Sequence, residues 1–205
     1  MITILIIIAS VAASFYAWNN EDVYRRWLLN PYMVVHKKQY DRFITSGFIH
    51  ADQTHLFVNM LSFYFFGRNL EGFLNYLYGT SGMLYYLGFY LLAIVVADIP
   101  TFLKHKNDYR YNSLGASGAV AAVLFAWVII RPVDIIYLFF VLPVPAIIFA
   151  VLYLVYSYVS AQKQSGGINH DAHFYGALFG MLFIVLIEPR LINSFFDQLS
   201  NWSIF

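Results

Sequence analysis

The feature that most constrains this chain is its alternation of long uncharged stretches with short charged connectors. No Asp, Glu, Lys or Arg interrupts 2–18, 53–67, 72–97, 113–130, 135–162 or 172–187. As helices, runs of about 20 such residues cross the roughly 30 Å hydrocarbon core of a bilayer, although the second and sixth are short for that task. Hydrophobic residues make up 60% of the 205 positions and charged ones 11%, against about 25% charged in soluble domains. A soluble fold this small has too little interior to hide that apolar surface, so the excess faces lipid. The expected fold is an all-α, polytopic integral membrane protein, one domain over 1–205 with six helices.

The chain order follows. Residues 2–18 form a first span, and no Lys or Arg precedes them as in a signal peptide. Residues 19–52 are polar yet hold Trp27, Leu28, Leu29, Tyr32, Met33 and Phe43, which marks an interfacial first loop. The second helix is expected over 54–70. The third lies within 72–97, closed by Asp98 and Pro100 with Asp98 at the interface. A polar loop over 104–112 precedes the fourth, 113–130. The fifth lies within 135–162, where Pro143 and Pro145 should kink or break its start. A loop over 163–171 leads to the sixth, 172–187, with Asp171 as N-cap. Residues 190–205 form an interfacial tail.

Several function classes are excluded or left without support. A net charge of +1 without a basic block gives no footprint for nucleic acid. With no cysteine, disulfides, thiolate metal sites and cysteine nucleophiles are absent. The expected partners are the lipid bilayer and other membrane proteins. His36 and His105 lie in polar connections and read as solvated.

Polar groups inside apolar spans are costly and each asks for a reason. Gly115-Ala116-Ser117-Gly118 opens the fourth helix, where free N–H groups favour a developing anion. By itself this string equally suits close helix packing. On the sixth helix, His173, Gly176 and Gly180 share one face. The Gly-xxx-Gly pair lets a neighbour approach closely. If that neighbour is the face around Ser117, Gly118 and Ala122, serine and histidine meet. On the second helix, His55 and Asn59 stack one turn apart and offer hydrogen-bond donors, with His50 just ahead.

Taken in order, His-x4-His-x3-Asn, Gly-x-Ser-Gly and Ala-His-x2-Gly-x3-Gly resemble the rhomboid family of intramembrane serine proteases. The resemblance runs from Arg42-Phe43 through Gly67 and Glu71 to Gly180. It implies a six-helix rhomboid-like bundle that cleaves transmembrane segments of substrate proteins and needs no cofactor or metal. Ser117 would be the nucleophile and His173 its base. His55, Asn59 and the Ser117 N–H would form an oxyanion hole, supported by His50, Gly115, Gly118, Gly176 and Gly180. Glu71 would pair with Arg68 or, as the resemblance implies, help hold the first loop. The loop over 163–171 and the fifth helix are candidate gates. The small size points to a prokaryotic inner (plasma) membrane.

Two features depart from the pattern. Many family members carry a tyrosine four residues after the serine, stacked on the histidine; here that position is Ala121. The resemblance also implies a cytoplasmic N-terminus, which leaves Arg68, Arg131 and Arg190 inside and every other Lys and Arg outside. The positive-inside rule runs the other way. Two further readings compete: a non-catalytic member that binds transmembrane segments, favoured by Ala121, and a metal enzyme or transporter using His50, His55, His170 and His173.

Overall fold

The computed structural model describes residues 1–138, 141–163 and 167–202. It is mainly helical. Helix α1 spans Ile2–Trp18, and three short helices follow in the first loop: α2 (Glu21–Trp27), α3 (Pro31–Lys37) and α4 (Arg42–Ser46). Helices α5 (Gln53–Tyr78) and α6 (Gly82–His105) are joined by a single 3-10 turn. Then come α7 (Ser117–Ile130), a hairpin of β1 (Ile135–Leu138) and β2 (Leu142–Pro145), α8 (Ala146–Lys163), α9 (His170–Ile187) and α10 (Leu191–Ser200).

Among the described residues, three helical stretches are long and apolar enough to cross a membrane: the run Gln53–His105, Ala146–Lys163 and His170–Ile187. Helices α1 and α7 are apolar but shorter. Helix α7 is the axis of the molecule: of its 14 residues, all but Ser117, Trp127 and Ile129 are buried. It packs most closely on α9. A Cβ on Gly176 would run into the Gly118 carbonyl, and one on Gly180 into the Ala122 carbonyl. The two backbones therefore touch, which only glycine allows. The larger core centres on Phe63, Tyr86, Phe89 and Tyr90, between α5 and α6.

Several expected boundaries move. Asp98 and Pro100 do not end the third helix, because α6 runs through both to His105. The lost Pro100 donor costs one intrahelical bond, and the helix tolerates it near its end. His105 is therefore helical and stacks on Tyr111, ring centroids 3.7 Å apart. Residues 135–138 and 142–145 pair as antiparallel strands instead of forming a kinked helix start, with Ile135 opposite Pro145 and Tyr137 opposite Pro143. Prolines fit a two-stranded edge, where missing N–H groups break no central ladder. The tail contains α10, whose Gln198 amide donates to the Ile130 carbonyl at 3.1 Å.

The first loop is a folded cap as well as a polar connection. Asn20 and Asn30 cap α2 and α3. Leu29, Val34 and Ile49 are fully buried, so part of the loop's apolar content serves inward packing. Buried Arg42 donates to the Leu28 carbonyl at 2.6 Å and the Arg25 carbonyl at 3.1 Å. The loop is strapped to the segment before α7 by a two-way backbone bridge between Leu29 and Ser113. The Gly115 N–H also donates to the Ser46 carbonyl at 2.9 Å. Glu71 takes neither expected role. It accepts from the Ile2 N–H at 2.6 Å and the Thr3 hydroxyl at 2.7 Å, while Arg68 lies over Tyr64. Gly67 allows this closeness: a Cβ there would sit 2.6 Å from the Tyr86 hydroxyl.

Candidate active site

Ser117 is the first residue of α7. The chain enters that helix through Gly115 at φ +114°, a conformation that side chains other than hydrogen resist. A second reason for glycine is the His55 ring: a Cβ on Gly115 would lie 2.7 Å from its Cε1 and 2.9 Å from its Nε2. His55 therefore presents its Nε2 edge to the turn that delivers the serine. The Ala51 N–H points to His55 Nδ1 at 3.4 Å. In the neutral ring this assigns the proton to Nε2, the edge beside Gly115. Helix α5 starts at this height because Asp52 caps it, accepting the His55 N–H at 2.8 Å.

Asn59, one turn on, is buried, and its amide donates to the His55 carbonyl at 3.0 Å. One amide hydrogen remains for another acceptor. His50 is fully buried and ties three segments together. Its Nδ1 is 3.1 Å from Ser14 Oγ on α1, and the Ala116 N–H points to its Nε2 at 3.5 Å. Its carbonyl accepts from the Trp18 indole at 2.8 Å. One neutral tautomer satisfies the set: Nε2 accepts, Nδ1–H donates to Ser14, and Ser14 donates on to the Phe48 carbonyl at 3.3 Å. Burial lowers the His50 pKa to about 3, in keeping with the neutral form.

His173 sits in the first turns of α9, brought towards Ser117 by the Gly118–Gly176 crossing. Ser117, His173, His55 and Asn59 line one cavity of about 940 Å³. Among the described residues no direct hydrogen bond joins Ser117 to His173; hydrogen bonds of this kind commonly tighten only with substrate bound. Asp171, two residues before His173, pairs with Lys104 at 3.1 Å. Tyr153 of α8 stacks on the His173 imidazole, centroids 6.2 Å apart and planes 24° apart. His170 meets it edge-on at 5.8 Å.

Two supporting residues were not singled out from the sequence. One is Tyr153. The other is Asn169, which takes the N-cap role expected of Asp171 by accepting from the Ala172 N–H at 3.1 Å. Its amide also bridges to α6: Thr101 donates to it at 2.9 Å, and it donates to Asp98 at 3.2 Å. Asp98 thus holds the start of α9 instead of sitting free at an interface. An Asn just ahead of an apolar run is a cap signal that would have found it. His50, His55, His170 and His173 do not gather as metal ligands: among the described residues no group of three or more His, Cys, Asp or Glu is placed to hold an ion. In the expected loop gate, 164–166 fall outside the described residues.

Fold and cavity together define a helical membrane protein with a serine and a histidine facing a shared, partly polar space. A family model described as the rhomboid domain matches residues 37–190, and the chain belongs to that family. It is an integral membrane protein. It is similar to RHOMBOID-like protein 12, mitochondrial, of Arabidopsis thaliana, with 33% identity over 145 residues. That match takes in 65% of this chain and 42% of the relative, so the chain spans less than half of the relative's length. The relative is named as mitochondrial, so the expectation of a prokaryotic plasma membrane gains no support from it.

Proposed function

We propose that this protein is an intramembrane serine endopeptidase that cleaves transmembrane segments with Ser117 as nucleophile and His173 as base. The observation that carries it is the backbone contact of Gly118 with Gly176, which turns Ser117 and His173 into the same cavity as His55 and Asn59. The whole chain acts as one six-span domain, with its N-terminus in the cytoplasm.

The chemistry uses groups already in that cavity. Ser117 Oγ attacks the scissile carbonyl carbon while His173 takes the hydroxyl proton. The carbonyl π pair moves to oxygen, where His55 Nε2–H, the free Asn59 amide hydrogen and the Ser117 N–H stabilise it. Collapse breaks the C–N bond, and the leaving amine takes the proton from His173. Water then attacks the acyl-enzyme, giving its proton to His173, which returns one to Ser117. At 1.5 Å per residue the 14-residue α7 is about 21 Å long, shorter than the roughly 30 Å hydrocarbon core. With Arg131 at one boundary, Ser117 lies below the other, at a depth where a peptide bond needs a water-bearing cavity.

The test is cleavage of a transmembrane substrate in detergent or liposomes, together with fluorophosphonate labelling. Wild type should cleave and label, and Ser117→Ala should do neither. His173→Ala should lose cleavage by at least about 10³-fold, as for loss of a base in a serine hydrolase. Substrate binding without labelling by the wild type would identify a non-catalytic member instead.

A further inference from the structure

We propose that Tyr153 of α8 is the positioning residue for the His173 imidazole, so that the dyad is set only while α8 is docked. The inference rests on the protease reading above and adds to it a residue on a different helix from both members of the dyad.

The fully buried residues of α8 form one narrow stripe, while Tyr156 and Tyr158 outside it meet His170 and Phe174 of α9. Ala146, Ala150 and Ser157 are its buried residues. With Tyr153 they fall at i, i+4, i+7 and i+11, one face of a helix. The neighbouring positions Val151, Leu152, Val155, Tyr156, Tyr158 and Val159 are exposed. Small residues on such a stripe set the approach of a helix but specify little else. Tyr153 is the one large ring on it, and that ring ends on His173.

The ring is itself held in place. Phe125 of α7 lies 5.4 Å away and Phe149 of α8 5.6 Å away, centroid to centroid. Tyr153 packs against the buried cluster that includes Ala121, Phe125, Ala150 and Ala177. Ala121 has no atoms beyond Cβ to reach the imidazole. Near-parallel ring planes limit rotation of His173 about its χ2, which decides whether Nε2 or a C–H faces Ser117. His170 borders the other ring only edge-on, a contact that leaves that rotation less restricted. Asp171 and Asp98 are engaged with Lys104 and Asn169.

The experiment compares purified full-length variants for kcat and KM on a transmembrane substrate, fluorophosphonate labelling rate and thermal stability. Tyr153→Phe keeps the ring and should retain kcat within about two-fold. Tyr153→Leu should lower kcat and the labelling rate about 3- to 10-fold with KM unchanged, the size expected for one aromatic pair. Tyr153→Met, equally ringless, is read in the same way should the leucine variant not fold. Leu74→Ala removes packing from the other core cluster, away from Tyr153 and His173; it should lower stability and leave kcat in place. An unchanged kcat in Tyr153→Leu overturns the proposal. So does a loss in Tyr153→Phe as deep as in Tyr153→Leu, or an equal loss of kcat in Leu74→Ala. Ser117→Ala is run alongside: if it cleaves like wild type, the protease reading itself fails, whatever position 153 shows.

Discussion

At the scale of single residues, the positions that decide this site are those where there is no room for an alternative. Gly115→Ala forces a Cβ into both a positive φ and the His55 ring. The expected outcome is a destabilisation of about 1–3 kcal/mol and a loss of fluorophosphonate labelling deeper than the loss of folded protein, measured side by side. His50 gives a pH signature. Its pKa is lowered from the ordinary 6.5 to about 3 by burial, so the folded protein keeps it neutral while the unfolded chain protonates it below about 6.5. Its contribution to stability is complete above pH 6.5 and declines as pH falls towards 3. Thermal unfolding between pH 8 and pH 4 should therefore show a steeper loss of Tm in wild type than in His50→Gln. These residues were legible because chemistry inside an apolar span has few innocent explanations. Tyr153 was not, because a tyrosine in a chain with 17 of them is unremarkable until α8 acquires a register against α9.

At the scale of elements, helix ends carry the positioning. Asn169→Ala removes the cap of α9 and the partner of Asp98 together. A cap alone is worth about 1 kcal/mol, and a partly buried acid left without its donor adds to that cost. The expected result is a lower Tm and a kcat reduced with it. Asp171→Ala should do less, since that side chain only pairs with Lys104 across a partly exposed contact. Most helices were readable as uncharged runs, but α5 continues through Arg68 and Glu71 to Tyr78, past the expected end at 70. Helix ends in general were not readable. Helix α6 continues past Asp98 because Asn169 and Thr101 satisfy that polar stretch from within, a partnership between residues far apart in the chain. The hairpin was missed for a local reason. A continuous apolar run with two prolines fits a kinked helix and a strand pair equally well, and only the pairing of Ile135 with Pro145 decides it.

At the scale of the whole molecule, the proposed orientation puts most cations on the side opposite to the usual bias. The structure gives several of them internal work. Arg42 binds loop carbonyls, Arg26 pairs with Asp41 at 2.9 Å and Arg25 with Glu21 at 2.6 Å. Their place is thus fixed by the fold of the first loop as much as by topology. A chain without cysteine makes the check direct. In intact cells, Asp108→Cys should react with a membrane-impermeant maleimide, and Arg131→Cys only after permeabilisation; the reverse pattern inverts the proposed topology. The hairpin after α7 gives that topology a vertical scale. Its outer backbone edges need water or headgroups, while exposed Ile135, Tyr137, Val141 and Leu142 favour the acyl boundary. The Ala146 and Ile147 N–H groups tie the start of α8 to the Asp134 and Pro132 carbonyls at the base of the hairpin. On the proposed topology the hairpin would act as a float on the far side of the bilayer, and the draught it sets, transmitted through α7, would fix how deep the proposed enzyme cuts.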